Sequence, residues 1–199
     1  MNDWVLGEIV RITLDRLPRS AVICAIGVWD PVLECNRKLF RQLAKTSRSE
    51  HYTSVIVTLD PPPAMFNHGR KEWATFDNLA ARLSFQRNEG IDTTIVARIS
   101  HRETKLGARW FFDVLSNYVD IAQIWLGARQ SLGPDHEGSS AAILEYASRR
   151  KIRVVRLPNR FTRNVSGRGR EWLRIGSVCR ARKMSGVNLC GESPPILNE

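Results

Sequence analysis

The stretch Ala25-Ile26-Gly27-Val28-Trp29-Asp30-Pro31-Val32-Leu33-Glu34-Cys35-Asn36 decides how this chain is organised. It follows a short apolar run, Ala21–Cys24, and leads into a helical pattern at Arg37–Lys45. An apolar strand that ends at a glycine turn and continues into a helix places backbone N–H groups where they can bind phosphate. The stretch therefore predicts the frame of a nucleotide site at the Gly27 turn.

Apolar runs rich in β-branched residues alternate with helical patterns along the chain. The expected strands are Ala21–Ile26, Ser54–Leu59, Thr93–Ile99, Ile121–Leu126 and Ile152–Leu157, and the expected helices are Arg37–Lys45, Phe76–Asn88, Ala108–Tyr118 and Ser140–Arg150. Strands that alternate with helices pair in parallel, so the sequence predicts an α/β fold with helices on both faces of a parallel sheet. Ligands of such sheets bind beyond the carboxyl ends of the strands. We therefore expect Gly27, Asp60 and Gly127 to lie on one edge.

The helix expected between the second and third of these strands has one apolar face. Its apolar residues recur at positions i, i+3, i+4 and i+7, and they are Phe76, Leu79, Ala80 and Leu83. This spacing places the four residues on one face of a helix. Thr75 or Asp77 is expected to cap the start of the helix, and Gly90 is expected to end it.

The charge of the chain is strongly basic and unevenly distributed. The formal net charge is +10, and the segment from Arg149 to Lys183 holds thirteen Arg or Lys residues against one acid, Glu171. Such a segment attracts polyanions, although a solvated basic face explains it equally well. A nucleic-acid partner is not favoured, because only Phe161 and Trp172 stand among these charges to stack on bases.

Cysteine usage and hydropathy point to a cytoplasmic protein without a metal site. Cys24, Cys35, Cys179 and Cys190 are scattered and form no C-x-x-C pair, which is typical of reduced thiols. No apolar run approaches the ~20 residues of a membrane span. The first residues, Met1–Trp4, lack the basic start of a secretory signal. We expect no membrane partner.

Several motifs in fixed order resemble the adenylyltransferase domain of bacterial bifunctional FAD synthetases. They are Trp29-Asp30 in the glycine turn, Thr58–Pro63, Thr75–Leu83, Trp110–Leu115, Gly127–Gly133 and Ser166–Glu171. The resemblance covers residues 18–186 and implies a Rossmann-like nucleotidyltransferase fold. It leaves residues 1–17 as an N-terminal extension and residues 187–199 as a short tail. We expect the domain to stand without the riboflavin kinase domain that usually follows it.

The resemblance implies transfer of AMP from ATP, bound with Mg²⁺, to FMN, giving FAD and pyrophosphate. The family carries Gly-x-Phe-Asp-Gly-x-His-x-Gly-His at the glycine turn, where this chain has Leu33 and Asn36 in place of the two histidines and Cys35 in place of the last glycine. Loss of one pre-organised donor typically lowers a rate by about 10²–10³. The sequence therefore predicts a weak or eroded activity and names no confident catalytic residue.

Other family positions still carry groups that suit phosphate. The resemblance implies a nucleotide-binding set of Gly27, Trp29, Asp30, Asn36, Gly127, Ser166, Arg168 and Arg170. It implies a flavin-side set of Asp60, Arg129 and Gln130, although Arg129, Gln130 and Leu132 replace an Asp and two Phe of the family. The aromatic surface that would line a flavin is thereby lost.

Alternatives remain open for single residues and for the whole chain. Asp30 can act as a turn cap before Pro31 rather than as a ligand, and Asp60 can serve only to fix a rigid turn. Trp29 is expected to pack in the core. The chain itself is a weak adenylyltransferase, or else a non-catalytic module that binds a nucleotide or a protein partner.

Overall fold

The computed structural model describes residues 2–6, 10–14, 18, 20–29, 34–62, 77–98, 100–102, 105–127 and 138–157. Seven strands and four helices lie within these residues. In chain order they are β1 (Asn2–Leu6), β2 (Val10–Leu14), β3 (Val22–Gly27), α1 (Glu34–Ser49), β4 (Thr53–Leu59), α2 (Leu79–Asn88), β5 (Thr93–Arg98), α3 (Gly107–Ser116), β6 (Ile121–Gly127), α4 (Gly138–Arg149) and β7 (Arg153–Leu157).

All seven strands form one sheet, in the order β1-β2-β5-β4-β3-β6-β7. The five strands from β5 to β7 in that order are parallel to one another, as the alternation of strands and helices predicts. Strands β1 and β2 pair with each other in antiparallel fashion, and β2 pairs in the same way with β5. These two strands were not predicted from the sequence pattern.

Each face of the sheet buries its own apolar core. Alternate residues of a strand point to opposite faces, so Val22, Cys24 and Ile26 of β3 pack with α3 and α4, whereas Ile23 and Ala25 pack with α1. Helices therefore cover both faces, and the expected α/β class is confirmed. Burial of each large apolar side chain in these layers stabilises the fold by about 1.5–3 kcal/mol.

The most deeply buried residues of helix α2 are polar and do not belong to the apolar face that its spacing indicates. Arg82 and Gln86 are its buried residues, whereas Ala80 is exposed and Leu79 and Leu83 are half-buried. The reason is that the facing sheet supplies hydrogen-bonding groups, which satisfy polar side chains that would otherwise be costly to bury.

The ends of α2 also correct the sequence prediction in part. Asn78, and not Asp77, is the N-cap, and its Oδ1 accepts a hydrogen bond from the N–H of Ala81 at 2.8 Å. Gly90 follows the last turn with a φ of 87°, so the expected glycine stop is confirmed. Thr75 and Phe76 lie outside the described residues.

Among the residues that the structure describes, no helix has both the length and the apolar composition needed to cross a bilayer.

Candidate nucleotide site

Three of the sequence-predicted site residues lie on one edge of the sheet. Gly27 is the last residue of β3 and pairs with Thr58, two residues before Asp60. Strand β6, which ends at Gly127, pairs in parallel with β3 on its other side. Because carboxyl ends of parallel neighbours meet at the same edge, Gly27, Asp60 and Gly127 share one rim, as the sequence predicts.

A buried arginine of α2 connects the turns after β3 and β4. One Nη of Arg82 donates a hydrogen bond to the carbonyl oxygen of Val28 at 3.0 Å, and the other Nη pairs with the carboxylate of Asp60. Arg82 is only 1 % exposed. Asp60 is anchored in addition by its N–H, which donates to the carbonyl of Ala97 at 3.1 Å. We call these contacts the Arg82 brace; they fix the two turns relative to each other.

A group of buried hydrogen bonds lies next to the Arg82 brace, one turn further along α2. The side-chain amide of Gln86, one helical turn after Arg82, donates to the hydroxyl of Thr58 at 3.0 Å. Its oxygen accepts a hydrogen bond from the hydroxyl of Thr94 at 2.9 Å. Satisfied polar networks of this kind specify one docking position, because any slip leaves buried groups unpaired. Helix α2 is thus locked in register with β4 and β5.

The Nε of Arg82 is buried and has no hydrogen-bond partner among the residues that the structure describes. An unpaired buried N–H costs free energy, so stability alone does not favour an arginine here. Since replacement of both partners of a buried ion pair by apolar residues of similar volume is often neutral, the position is better explained by the two contacts that Arg82 makes to the site turns.

Trp29 covers the glycine at the end of β3. Its indole N–H donates to the carbonyl of Val57 at 3.1 Å, and its ring meets that of Phe40 edge-on at 5.2 Å between centroids. A Cβ on Gly27 would lie 3.0 Å from two carbons of this indole, so only glycine fits without a shift. The expectation that Trp29 packs against the core is confirmed.

The backbone of Trp29 is strained. Its φ of 57° lies in the left-handed region, which costs a bulky residue about 1–3 kcal/mol. The hydrogen bond to Val57 and the contact with Phe40 offset this cost. The indole therefore has a fixed position, with β4 on one side and α1 on the other.

Asn36 is the third residue of α1 and replaces the second family histidine. It is 8 % exposed, and its Oδ1 accepts a weak hydrogen bond from the Cys35 thiol at 3.7 Å. Cys35, at the family's glycine position, is also buried. The structure thus places a neutral amide and a thiol side chain at the start of α1, close to the rim.

Cys24 is a packing residue and not a nucleophile. It lies in the middle of β3 with no exposed surface, and burial raises the pKa of its thiol from 9.0 to about 12. The thiolate is the reactive form, so this cysteine is inert near neutral pH. In the described ranges, no three His, Cys, Asp or Glu residues are grouped to hold a metal ion.

The other sequence-predicted site residues lie outside the described residues. These are Asp30, Leu33, Arg129, Gln130, Ser166, Arg168 and Arg170.

The contribution of Arg82 and Gln86 to the rim was not predicted. The available signal is their spacing, because two long polar residues at i and i+4 lie on the same side of a helix.

The fold and the rim define the class of the protein. A parallel sheet covered on both faces, with glycine turns at the carboxyl ends of adjacent strands, is a Rossmann-like nucleotidyltransferase fold. The model of the family described as FAD synthetase matches residues 16–166. The chain therefore belongs to the FAD synthetase family, which uses an adenylyltransferase-type domain.

Solved structures share the fold at low sequence identity. A chain described as a macrolide-efflux protein from Streptococcus pneumoniae superposes with a TM-score of 0.66 at 20 % identity, over 84 % of this chain and 56 % of that one. This protein thus spans about half the length of that relative.

A universal stress protein from Archaeoglobus fulgidus gives a TM-score of 0.42 at 14 % identity, over 69 % of this chain and 93 % of that one. The structure of that protein in complex with dAMP gives a TM-score of 0.40 at 15 % identity, over 70 % of this chain and 98 % of that one. No curated protein matches the sequence.

Proposed function

We propose that this domain binds ATP at the rim formed by Gly27, Asp60 and Gly127, and that its transfer of AMP to FMN is slow. One observation carries the proposal. The Arg82 brace holds the turns after β3 and β4 in a fixed relation, whereas the position of the second motif histidine holds a buried, neutral Asn36. The frame of the site is kept and its charged chemistry is reduced.

The reaction of the family depends both on the fixed turns and on the charged groups of the site. Adenylyl transfer is an in-line displacement at the α-phosphorus, where catalysis consists mainly of positioning and of neutralising developing charge. A histidine can carry a positive charge, but the amide of Asn36 cannot, and Leu33 offers no polar atom. Each lost donor lowers the rate by about 10²–10³, and the two effects need not multiply.

The phosphate-binding part of the proposal rests on the family motifs. Ser166, Arg168 and Arg170 stand where the family carries Ser and Arg, and a guanidinium binds phosphate oxygens in bidentate fashion. Mg²⁺ would accompany ATP as part of the substrate. On the flavin side, Arg129 and Gln130 replace an acid and an aromatic residue of the family, so FMN is expected to bind more weakly than ATP.

Calorimetric titration of the full chain with ATP–Mg²⁺ and with FMN tests the proposal, combined with chromatographic detection of FAD on the same sample. We expect clear ATP binding, weak FMN binding and little FAD. The variant Arg168→Ala should weaken ATP binding, and the exposed Lys105→Ala serves as its matched control. An unchanged ATP affinity in Arg168→Ala would contradict the proposed contact between Arg168 and phosphate. Rapid FAD formation would contradict the proposed loss of activity.

The alternative is a non-catalytic module that binds a nucleotide or a protein partner. The burial of Asn36 and Cys35 beside the rim favours it, since neither residue replaces the charge of a histidine. ATP binding with no FAD under any condition would select this alternative. The domain limits at residues 18 and 186 and the cytoplasmic location remain predictions.

A further inference from the structure

Positive charge is concentrated along helix α1. Helix α1 carries five basic residues against the single acid Glu34, and they are Arg37, Lys38, Arg41, Lys45 and Arg48. On the opposite face, Asp113 and Glu145 offset Arg109 and Arg149 within α3 and α4, and the exposed Lys105, Arg150 and Lys151 lie next to these helices. The distinctive feature of α1 is therefore the regular spacing of its cations along one helix.

Four of the α1 residues form a line on the solvent side of the helix. Lys38, Arg41, Lys45 and Arg48 are exposed, and they recur at intervals of three and four residues. At 1.5 Å rise per residue the line is about 15 Å long. We call it the α1 basic stripe.

Much of the charge of the α1 basic stripe is available to a ligand. In the described part of the chain, Lys38 and Lys45 make no ion pair. Arg41 uses its Nε on Glu89 at 2.5 Å, yet its side chain remains 64 % exposed. Arg48 donates one Nη to the carbonyl oxygen of Gly90 at 3.2 Å, which leaves its charge uncompensated.

The exposed residues of α1 favour a ligand that carries a row of phosphate groups. No apolar side chain is exposed on this helix, so it offers nothing to insert into a bilayer. Cations at regular intervals along a line match an anion that repeats along a chain. We propose that the α1 basic stripe docks the phosphate backbone of a nucleic acid, without reading its sequence.

The scarcity of aromatic residues does not oppose this proposal. It argues against stacking on bases, whereas backbone binding needs only cations and the release of counterions. The α1 basic stripe also shares no residue with the basic segment of residues 149–183. With four phosphate contacts, the logarithm of the association constant should fall against that of salt with a slope of about −3 to −4.

A pair of charge-reversal variants tests the proposal with the full chain and a short fluorescein-labelled DNA duplex. Lys38→Glu with Lys45→Glu changes the stripe, and Lys105→Glu with Arg109→Glu changes the opposite face by the same four charge units. Both pairs therefore bring the net charge from +10 to +6 (10 − 4). We expect the stripe variant to lose affinity by about tenfold or more and to lower the salt slope by roughly 2, with the control unchanged.

Three outcomes would overturn the proposal. They are the absence of duplex binding, an equal loss in both variants, and binding to phosphatidylserine vesicles in place of the duplex. The milder pair Lys38→Gln with Lys45→Gln repeats the test if the reversal disturbs folding. The result does not depend on the proposed nucleotide site, since ATP titration of the stripe variant should match wild type whether or not DNA binds.

Discussion

The guanidinium of Arg82, in α2, pairs with the carboxylate of Asp60, the residue that follows β4. The same guanidinium donates to the carbonyl of Val28, which follows β3. A single side chain therefore sets the relation between two turns that are more than thirty positions apart in sequence, and both turns belong to the proposed nucleotide rim. This is why α2 buries a charge where an apolar face would be expected.

Substitution of Arg82 by Met should lower the free energy of unfolding by about 3 kcal/mol. The change removes both contacts and takes the donor away from the carbonyl of the half-buried Val28, and removal of one partner of a buried ion pair costs about 3–5 kcal/mol. We place the loss near the lower limit because the Asp60 side chain is 25 % exposed and can be hydrated. Urea unfolding measures it, with the exposed Arg109→Met as control. A loss no larger than that of the control would show that the brace does not hold the turns.

The contact between Gly27 and Trp29 should appear as a coupling energy. Gly27→Ala forces a Cβ to 3.0 Å from the indole and should cost about 1–3 kcal/mol. In a Trp29→Phe background the ring is smaller, so the same substitution should cost clearly less. A double-mutant cycle in urea measures the difference. Strict additivity would mean that the indole does not lie on Gly27.

Cys24 should make stability depend on pH in the alkaline range. Its folded pKa of about 12 exceeds the unfolded value of 9.0, so the folded state keeps a proton that the unfolded state loses. The contribution is complete below pH 9.0 and declines as the pH rises towards about 12. Between about pH 8 and about pH 10.5 wild type should lose about 2 kcal/mol more than Cys24→Ala. Parallel curves for the two proteins would contradict the burial of the thiol.

The sequence was sufficient for those parts of the fold that depend on local pattern. The five parallel strands and the glycine turns could be predicted because buried parallel strands are continuous apolar runs. The docking face of α2 could not, since the partners of Arg82 and Gln86 lie on β4 and β5, far away in sequence. Helical periodicity records where apolar residues recur, and it contains no information on hydrogen bonds to a distant strand.

The candidate site was predictable to a similar extent. The shared rim of Gly27, Asp60 and Gly127 follows from parallel pairing alone. The left-handed backbone of Trp29 does not, because it depends on the acceptor at Val57 and on the ring of Phe40. Strands β1 and β2 were missed because, as antiparallel strands at one edge, they lack the continuous apolar runs of the parallel strands. The alternation of apolar and polar residues in Val10–Leu14 was the available signal.

The most direct test of the central claim is the rate of FAD formation when both family histidines are restored. In the variant with Leu33→His and Asn36→His, chromatographic assay with ATP–Mg²⁺ and FMN should show turnover about 10²-fold or more above wild type. The ATP affinity should change little. That result would establish that the nucleotide site keeps its backbone arrangement and lacks only the charged groups needed for fast transfer. Equal rates in the two proteins, or wild-type turnover already as fast as the restored variant, would contradict it.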